Sequence, residues 1–406
     1  MAARRPSCGP ADAIHGSRLI GIAALLPLPA LLSVSACGQS PVDPDSEYVY
    51  QVPMRTGDGW ETASLADVGM SDAPLVELMT DLRSLANHSV HSVLIVRRGK
   101  LVFEEYFPGQ QFLFARYTDG AGFDRDDTHN LASVTKSVTT TLFGIALDQG
   151  AITSVDVPVF DFFPEHADLV SQDPRRSGIT LEHLMLMTSG LRWNDEVVPY
   201  TDASNDMIRM FRSSDPIRFA LSTPVYASPG TDFEYCSGNT NILGEVVARA
   251  VGQRLDVFSA AQLMEPLGIT DYQWQMISGD VVFASGDLLL RPRDMAKIGR
   301  LFLDRGVWNG RRIVSSRWVE AATAHRVTPD GAHAWADGYG YGWWRWDIPV
   351  GGVVHRVYMA AGWGGQWIAV SPQDDLVFVS TGGSYFEPTP MPADRMLSRY
   401  VLRALR

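Results

Sequence analysis

Apolar positions in the first half of the chain follow helical spacing in some stretches and strand spacing in others. Leucines three or four residues apart predict a helix over Pro74–Asn87. Two runs rich in β-branched and aromatic residues, His91–Val96 and Leu101–Tyr106, predict strands joined by a hairpin. The clearest helix is Ser133–Gln149, because apolar side chains recur along one face and Gly150 suits its C-terminal cap.

The second half of the chain begins with helices and loops and ends with strands. Helical spacing occurs in five stretches: Leu181–Thr188, Asp206–Leu221, Thr240–Ala250, Pro292–Arg305 and Pro392–Leu405. Apolar and polar positions alternate in four later stretches: Tyr339–Trp346, Val353–Met359, Gln366–Val370 and Leu376–Ser380.

Strands at both ends and helices between them predict one sheet assembled from distant segments. We expect an α/β fold with a mostly antiparallel sheet flanked by helices and a mainly helical region inserted at about 155–280. This unit would span 71–406, with a ligand cleft where the inserted region meets the sheet.

The first 36 residues have the features of an export signal. Basic residues at positions 4, 5 and 18 precede an apolar run, Leu19–Ala36, which two prolines interrupt. Val34-Ser35-Ala36-Cys37 resembles a bacterial lipobox, in which the cysteine is lipidated and becomes the new N-terminus. We therefore expect a lipoprotein-type signal at 1–36, a tether and lead-in at 37–70, and an exported, membrane-anchored protein of the cell envelope. An ordinary cleaved signal is the alternative.

Composition narrows the classes of ligand. The 406 residues carry a formal net charge of −12, which argues against nucleic acid as a partner, because phosphate binding needs clustered cations. Of the three cysteines, Cys8 lies in the signal and Cys37 at the lipid site, so Cys236 has no partner for an internal disulfide. The nine histidines show no metal-ligand spacing, and we expect neither a metal nor another cofactor.

Ser133 and Lys136 form the strongest candidate for nucleophilic chemistry. Their separation of three residues puts both side chains on one helical face. A serine hydroxyl needs a neighbouring base, and burial lowers the pKa of a lysine enough for it to serve. The Ser133 N–H, at the start of the helix, would be available to an oxyanion. The spacing also arises by chance, but its position after a loop and at the start of a helix favours catalysis.

The segment Asn130-Leu131-Ala132-Ser133-Val134-Thr135-Lys136-Ser137 resembles the first motif of the penicillin-recognising serine hydrolases, the class C β-lactamase-related family. Glu234-Tyr235-Cys236-Ser237-Gly238-Asn239 is similar to the family's Tyr-x-Asn motif, with Ser237 where asparagine is usual. Segments 179–191 and 284–295 also resemble the family, so the matches span about 60–385. The resemblance implies a β-lactamase/transpeptidase-like fold with Ser133, Lys136 and Tyr235 as catalytic residues.

The third family motif, Lys-Thr-Gly or His-x-Gly, is replaced by Gly362-Trp363-Gly364-Gly365-Gln366, which contains no cation. This form is similar to the 6-aminohexanoate-dimer hydrolase branch and its esterase relatives. The resemblance implies an oxyanion hole made by the backbone N–H groups of Ser133 and Trp363. A serine hydrolase acting on an ester or amide is therefore favoured. The alternatives are a β-lactamase or D-Ala-type peptidase, which would use a motif cation, and a penicillin- or peptide-binding sensor without turnover.

The remaining assignments concern substrate contacts. Ser237, Asn239 and Gly364, which lie in the motifs that resemble the family, are predicted to contact a small-molecule ester or amide substrate. Trp193 is predicted to contact it as an aromatic ring of the cleft wall. The aromatic stretch 339–346 is expected to be a core strand with turns, from which some rings line the cleft. Cys236 is interpreted as a small packed residue rather than a second nucleophile.

Overall fold

One eight-stranded sheet joins strands from the N-terminal and C-terminal parts of the described residues. The protein is represented by a computed structural model that describes residues 47–113, 116–117, 121–195 and 197–406. The signal predicted at 1–36 and the lipidation site predicted at Cys37 lie outside the described residues. The strands of the main sheet are β1 (Glu61–Thr62), β2 (Val90–Arg97), β3 (Lys100–Tyr106), β4 (Gly338–Tyr339), β5 (Trp344–Val350), β6 (Val353–Gly362), β7 (Gln366–Ser371) and β8 (Leu376–Gly382).

The strand order is β1-β3-β2-β8-β7-β6-β5-β4. Every neighbouring pair is antiparallel except β1 with β3, which is parallel. The predicted hairpin between β2 and β3 turns at Arg98 and Gly99, whose φ values of 50° and 74° suit the twist of the flanking strands. Pairing of β8 with β2 connects the C-terminal strands to the N-terminal hairpin. The fold class predicted from the sequence is confirmed.

Helices cover both faces of this sheet, and most of them lie in the sequence between its N-terminal strands and its C-terminal strands. Their bounds are α1 (Ala73–Ser84), α2 (Val134–Asp148), α3 (Ala167–Gln172), α4 (Leu181–Met185), α5 (Asp206–Arg212), α6 (Pro216–Ser222), α7 (Ser237–Val251), α8 (Leu255–Ser259), α9 (Pro292–Leu303), α10 (Ser316–Thr323) and α11 (Ala393–Met396). Short strand pairs lie outside the main sheet, at Pro108–Gly109 with Ala121–Gly122, Phe112–Leu113 with Arg116–Tyr117, Met276–Ser278 with Val281–Val282, and Val307–Trp308 with Arg311–Arg312. A small three-stranded sheet has Leu289–Leu290 in its centre, between His129–Asn130 and Tyr272–Gln273.

The central helix α2 lies between the sheet and the helical region. It packs against β6 and β7 on one side and against α7 on the other, and nearly all of its residues are buried. Helix α9 packs closely on β7 and β8: a Cβ atom at Gly299 would lie 2.5 Å from Val377 Cγ1 and 2.8 Å from Ile368 Cγ2. All residues of β8 are buried, and since successive side chains point to opposite faces, both faces are covered. The start of α2 is thereby held at the junction of sheet and helical region.

Three predicted elements differ from the structure for local reasons. The stretch Asp206–Leu221 forms two helices, because Pro216 suits only the first turn of a helix and the Asp215 side chain caps the second one. The strand predicted at Tyr339–Trp346 is interrupted by a turn that contains Gly342 at φ 77°. The C-terminal helix continues beyond α11 as a π-helical turn, Leu397–Val401.

The segment before α1, which is part of the predicted tether and lead-in at 37–70, packs on the folded unit from residue 47 onward. Tyr48 and Trp60 are buried, and Trp60 Nε1 donates to the Arg293 carbonyl oxygen at 3.1 Å. β1 adds a parallel edge strand to β3. Large aromatic side chains among the Gly, Ser and Asp residues of this segment supply the apolar surface that binds it. Within residues 47–406 as described, no helix has both the length and the apolar character needed to cross a bilayer.

Candidate active site

Ser133 and Lys136 lie at the start of α2 with their side chains in contact. Lys136 Nζ is 3.0 Å from Ser133 Oγ, and it donates a second hydrogen bond of 2.9 Å to the Ser285 carbonyl oxygen. The lysine is only 2% exposed. A buried amine in hydrogen-bond contact with a serine hydroxyl is the arrangement that a serine nucleophile with a lysine base requires.

The turn before α2 has an unusual backbone conformation. Ala132 has φ 44°, in a region that few residues other than glycine adopt. The Asn130 side chain closes this turn: its Oδ1 accepts from the Ala132 N–H at 2.8 Å, and its Nδ2 donates to the Phe112 carbonyl oxygen at 2.5 Å. Because these groups are buried and satisfied, the turn fixes the direction in which Ser133 leaves the loop.

The C-terminal end of β6 touches the N-terminus of α2. A Cβ atom at Gly362 would lie 2.4 Å from the Leu131 carbonyl oxygen and 3.0 Å from the Ser133 nitrogen, so the approach requires glycine. The first N–H groups of a helix lack intrahelical partners and carry the positive end of its dipole. Trp363 follows Gly362 directly, and the pairing of its N–H with that of Ser133 as an oxyanion hole stays a prediction.

Tyr235 lies two residues before the start of α7 and packs against Lys136. Lys136 Nζ is 4.9 Å from the centroid of the Tyr235 ring. The ring also stacks on Trp344, at a centroid distance of 5.6 Å, and contacts the His333 ring at 5.0 Å. The structure therefore brings the three residues that the sequence predicts to be catalytic into one cluster.

A buried carboxylate, Asp195, lies within electrostatic reach of this cluster. It is 3% exposed and accepts hydrogen bonds from Trp193 Nε1 at 2.5 Å and from the Ser237 backbone N–H at 2.9 Å. Burial raises the pKa of Asp195, and the positive charge of Lys136 partly offsets that rise. The two donors hold the carboxylate in one orientation beside the site.

Helix α7 braces the acceptor that holds Lys136. Asn241 Nδ2 donates to Ser285 Oγ at 2.9 Å, and the Ser285 N–H donates to Asn241 Oδ1 at 3.2 Å. This reciprocal pair fixes the backbone of Ser285, whose carbonyl oxygen accepts from Lys136 Nζ. Since an amine with fixed acceptors samples few rotamers, the bracing keeps Nζ at the serine hydroxyl.

Two cavities meet at Ser133. The first, which we call the inner pocket, has a volume of about 70 Å³ and is largely apolar. It is lined by Phe112, Asn130, Ala132, Ser133, Lys136, Tyr200, Met207, Ile208, Phe211, Ser237, Phe283, Ser285, Gly286, Asp287, Trp363 and Tyr385. The second, the aromatic cleft, has a volume of about 460 Å³. It is lined by Ser133, Asp195, Val198, Pro199, Tyr200, Tyr235, His333, Trp335, Trp344, Ala361, Gly362, Trp363, Trp367 and Phe386.

The predicted substrate contacts have different positions in the structure. Ser237 lines the inner pocket. Trp193, Asn239 and Gly364 are not among the described residues that line either cavity. Trp193 is buried beneath the start of α7 and donates to Asp195, while Asn239 is fully buried and accepts from Ser189 Oγ at 2.9 Å. The packing of the Trp193 and Asn239 side chains, which the sequence alone does not define, turns them away from the two cavities.

The aromatic stretch divides as expected. Tyr339, Tyr341 and Trp343 are buried in the core, whereas Trp344 lines the aromatic cleft.

Cys236 is fully buried, and burial raises the pKa of its thiol well above the usual value, which disfavours the nucleophilic thiolate.

Several residues at the site could not be predicted from the sequence. Asp195 follows the predicted Trp193 by two positions, and this proximity was the only available signal. His333, Trp335 and Trp367 reach the aromatic cleft from loops and strands far apart in the sequence, so no spacing rule identifies them. Within the described ranges 47–113, 116–117, 121–195 and 197–406, no group of three His, Cys, Asp or Glu residues is suited to hold a metal ion.

Comparison with known proteins identifies the family. The Beta-lactamase family profile matches residues 82–395, and the chain belongs to this family. The structure also resembles that of a family VIII carboxylesterase, with a TM-score of 0.64 and 17% identity over 88% of this chain and all of the other. At this identity the similarity establishes the fold alone, which is the β-lactamase/transpeptidase fold.

Two curated relatives are hydrolases. The 6-aminohexanoate-dimer hydrolase of Paenarthrobacter ureafaciens is 28% identical over 360 residues, which cover 80% of this chain and 83% of the relative. Esterase EstB of Burkholderia gladioli is 31% identical over 154 residues, which cover 36% of this chain and 38% of the relative. Together with the family match, they place the chain among the hydrolases of the β-lactamase fold.

Proposed function

We propose that the protein is a serine hydrolase that cleaves an ester or amide bond through an acyl-enzyme on Ser133. The observation that carries this proposal is the 3.0 Å contact between Ser133 Oγ and the buried Lys136 Nζ at the mouth of two cavities. The similarity to a 6-aminohexanoate-dimer hydrolase and to an esterase supports a hydrolytic reaction of this kind.

In the acylation step, neutral Lys136 accepts the hydroxyl proton of Ser133 as Oγ attacks the carbonyl carbon of the substrate. Negative charge develops on the carbonyl oxygen. The Ser133 N–H at the positive end of α2, with the N–H of Trp363, stabilises that charge. Collapse of the intermediate breaks the bond to the leaving group and leaves the acyl group on Ser133.

The position of Tyr235 defines the orientation of the substrate. A leaving alkoxide or amine needs a proton from a donor within hydrogen-bond reach, and the Tyr235 hydroxyl is the candidate donor. Tyr235 lines the aromatic cleft and not the inner pocket, as far as the described residues go. The leaving group therefore occupies the aromatic cleft, and the acyl group occupies the inner pocket. Lys136 then returns its proton to the tyrosine.

Deacylation uses the same groups. A water molecule enters from the cleft after the leaving group has gone and attacks the acyl carbon. The Tyr235–Lys136 pair accepts the proton of the water, and Ser133 Oγ is protonated as the acid leaves. The packing of Tyr235 on Trp344 and His333 keeps the relay in place through both steps.

Cleavage of β-lactams is the second candidate, and the cavity charge disfavours it. Among the described residues that line the two cavities, Lys136 is the only lysine or arginine. Its Nζ is committed to Ser133 and Ser285. A β-lactam carboxylate would have to enter a cleft that also contains the Asp195 carboxylate.

Turnover of p-nitrophenyl butyrate by the full-length protein, beside Ser133→Ala, tests the proposal. We expect hydrolysis by the wild type and none above background by the variant, with matching thermal unfolding curves. A parallel assay with benzylpenicillin separates the candidates, since turnover of penicillin faster than the ester would favour a β-lactamase. Full activity of Ser133→Ala would exclude Ser133 as the nucleophile. A stable Ser133 adduct without turnover would favour a sensor.

We also propose that the protein is exported and anchored through a lipid on Cys37. The apolar run before Cys37 and the Val34-Ser35-Ala36-Cys37 sequence support this proposal. Growth with an alkyne fatty acid should label the wild-type protein and not Cys37→Ser. Equal labelling of both proteins would contradict the anchor.

A further inference from the structure

The mouth of the aromatic cleft carries exposed ring surface. Among the Phe, Tyr and Trp side chains that the structure describes, the three most exposed are Tyr117, Trp335 and Phe386, at 49%, 43% and 44%. Trp335 and Phe386 line the cleft, and the Tyr117 ring centroid lies 6.1 Å from that of Phe386. Exposed apolar surface concentrated at a cavity is typical of a ligand-binding site, because a bound apolar group removes this surface from water.

One wall of the cleft is an array of stacked rings. The Trp335 ring contacts the rings of Trp344 and Trp367, at centroid distances of 5.0 Å and 6.3 Å and interplanar angles of 38° and 26°. His333 stacks on Trp344 at 5.1 Å, with 14° between the ring planes. All four side chains line the cleft. An aromatic group that enters the cleft can make the same offset or edge contacts with these rings, whereas a saturated group of equal size has no π-system with which to make them.

The charges of the cleft favour a neutral ligand. Asp195 is the only acidic side chain among the described residues that line it. Its two oxygens already accept hydrogen bonds from Trp193 Nε1 and from the Ser237 N–H, and the residue is 3% exposed. A ligand in the cleft therefore meets ring surfaces in the main, and the buried carboxylate repels an anion.

We propose that the aromatic cleft selects a neutral, flat aromatic leaving group, the alcohol part of an arylmethyl ester or the amine part of the corresponding amide, and that Trp335 is the main specificity-determining residue. The inference rests on the proposed function, which puts the leaving group in this cleft. The cleft volume of about 460 Å³ exceeds the roughly 150 Å³ that holds benzene in a closed apolar cavity. Stacking on Trp335 orients the scissile bond at Ser133, and Trp335 takes no part in bond cleavage.

Three butyrate esters test this proposal with the full-length protein: benzyl butyrate, cyclohexylmethyl butyrate and butyrylcholine. All three give the same butyryl acyl-enzyme, so differences in kcat/KM arise before deacylation. Each kcat/KM is divided by the rate constant for hydroxide-catalysed hydrolysis, which corrects for the intrinsic reactivity of the ester. We expect the wild type to prefer benzyl over cyclohexylmethyl butyrate by about 3- to 10-fold, the range for an aromatic contact beyond its buried area. Hydrophobicity alone would give the opposite order, since the saturated ring is the more apolar.

Two variants and a control locate the preference. Trp335→Leu keeps an apolar side chain but removes the flat ring, and it should bring the ratio of benzyl to cyclohexylmethyl ester close to one. Trp335→Phe keeps a flat ring and should retain a preference for the benzyl ester. Trp346→Leu is the matched control and should keep the wild-type ratio. The Trp346 ring contacts Trp367 at 6.4 Å, but Trp346 is not among the described residues that line either cavity.

The outcomes separate this inference from the proposed function. Hydrolysis of p-nitrophenyl butyrate by the wild type, with equal corrected kcat/KM for the benzyl and cyclohexylmethyl esters, would overturn the inference and leave the hydrolase proposal intact. A wild-type preference for butyrylcholine over both would assign the rings to a cation and would also overturn it. So would a benzyl preference that survives in Trp335→Leu with a wild-type unfolding temperature. No turnover of any of the four esters by the wild type would reject the hydrolase proposal and this inference together.

Discussion

Replacing Gly362 by alanine tests the contact between strand β6 and helix α2, which carries the proposed nucleophile Ser133. The added Cβ would lie 2.4 Å from the Leu131 carbonyl oxygen and 3.0 Å from the Ser133 nitrogen. Side-chain Cβ atoms essentially never approach other atoms closer than 3.0 Å, so strand and helix would have to separate by at least about 0.6 Å. This movement widens the proposed oxyanion hole between Ser133 and Trp363.

The magnitude follows from the cost of misplacing an oxyanion donor. Loss of one donor lowers kcat by about 10²- to 10³-fold, and a misplacement of about 1 Å has a comparable effect. We expect Gly362→Ala to lower kcat/KM for p-nitrophenyl butyrate by about 10²-fold or more, as measured by initial rates.

A second glycine provides the control. A Cβ at Gly178 would meet only Pro229 Cγ, at 4.0 Å, so Gly178→Ala should retain wild-type activity. Circular dichroism should show that both variants fold. If folded Gly362→Ala keeps more than a tenth of the wild-type kcat/KM, the close approach of β6 to Ser133 is not part of the catalytic geometry.

Three further predictions concern protonation. Tyr235→Phe should lower kcat more for methyl butyrate than for p-nitrophenyl butyrate, because the poorer leaving group needs the proton; equal losses would contradict that role. Asp195→Asn removes the negative charge near Lys136, so the acid limb of the kcat/KM–pH profile should shift to lower pH, and an unchanged profile would refute the coupling. Burial lowers the pKa of His91 to about 3 and of His129 to about 4. In the unfolded chain the histidine pKa values are about 6.5, so below that pH the unfolded state binds more protons than the folded state. The free energy of unfolding is therefore highest above about pH 6.5 and decreases as the pH falls towards 4. Urea titrations should show that the unfolding free energy is lower at pH 5 than at pH 7 by about 2 kcal/mol for each such histidine. This difference between the two pH values should be smaller for His129→Gln. An unfolding free energy that does not change between pH 7 and pH 5 would contradict the lowered pKa values of the two histidines.

The sequence predicted the fold and the proximity of Ser133, Lys136 and Tyr235 because both depend on local signals. Helix α2 carries a long apolar face, and its first turn presents Ser133 and Lys136 three residues apart. The C-terminal strands alternate clearly between apolar and polar positions, and their pairing through β8 with β2 follows from the need to bury both faces. Tyr235 was found through a motif, and the packing of α7 against α2 brings it to the lysine.

The walls of the two cavities depend on contacts between distant segments, which no local signal predicts. Asp287 and Asn130 are 157 positions apart and are joined by one hydrogen bond. Trp193 is a second example: its aromatic character suggested a place in the cleft wall, but the indole turns inward and donates to Asp195. The side of a loop on which such a residue points depends on the packing of its neighbours, which composition and spacing leave undefined.

Intact-mass analysis during turnover tests the central claim most directly. Wild-type protein quenched in acid soon after mixing with p-nitrophenyl butyrate should gain the mass of one butyryl group, and peptide mapping should place it on Ser133. Ser133→Ala should show no adduct. Turnover with the butyryl group on another residue, or with no covalent adduct even at the shortest quench times and saturating ester, would contradict an acyl-enzyme on Ser133.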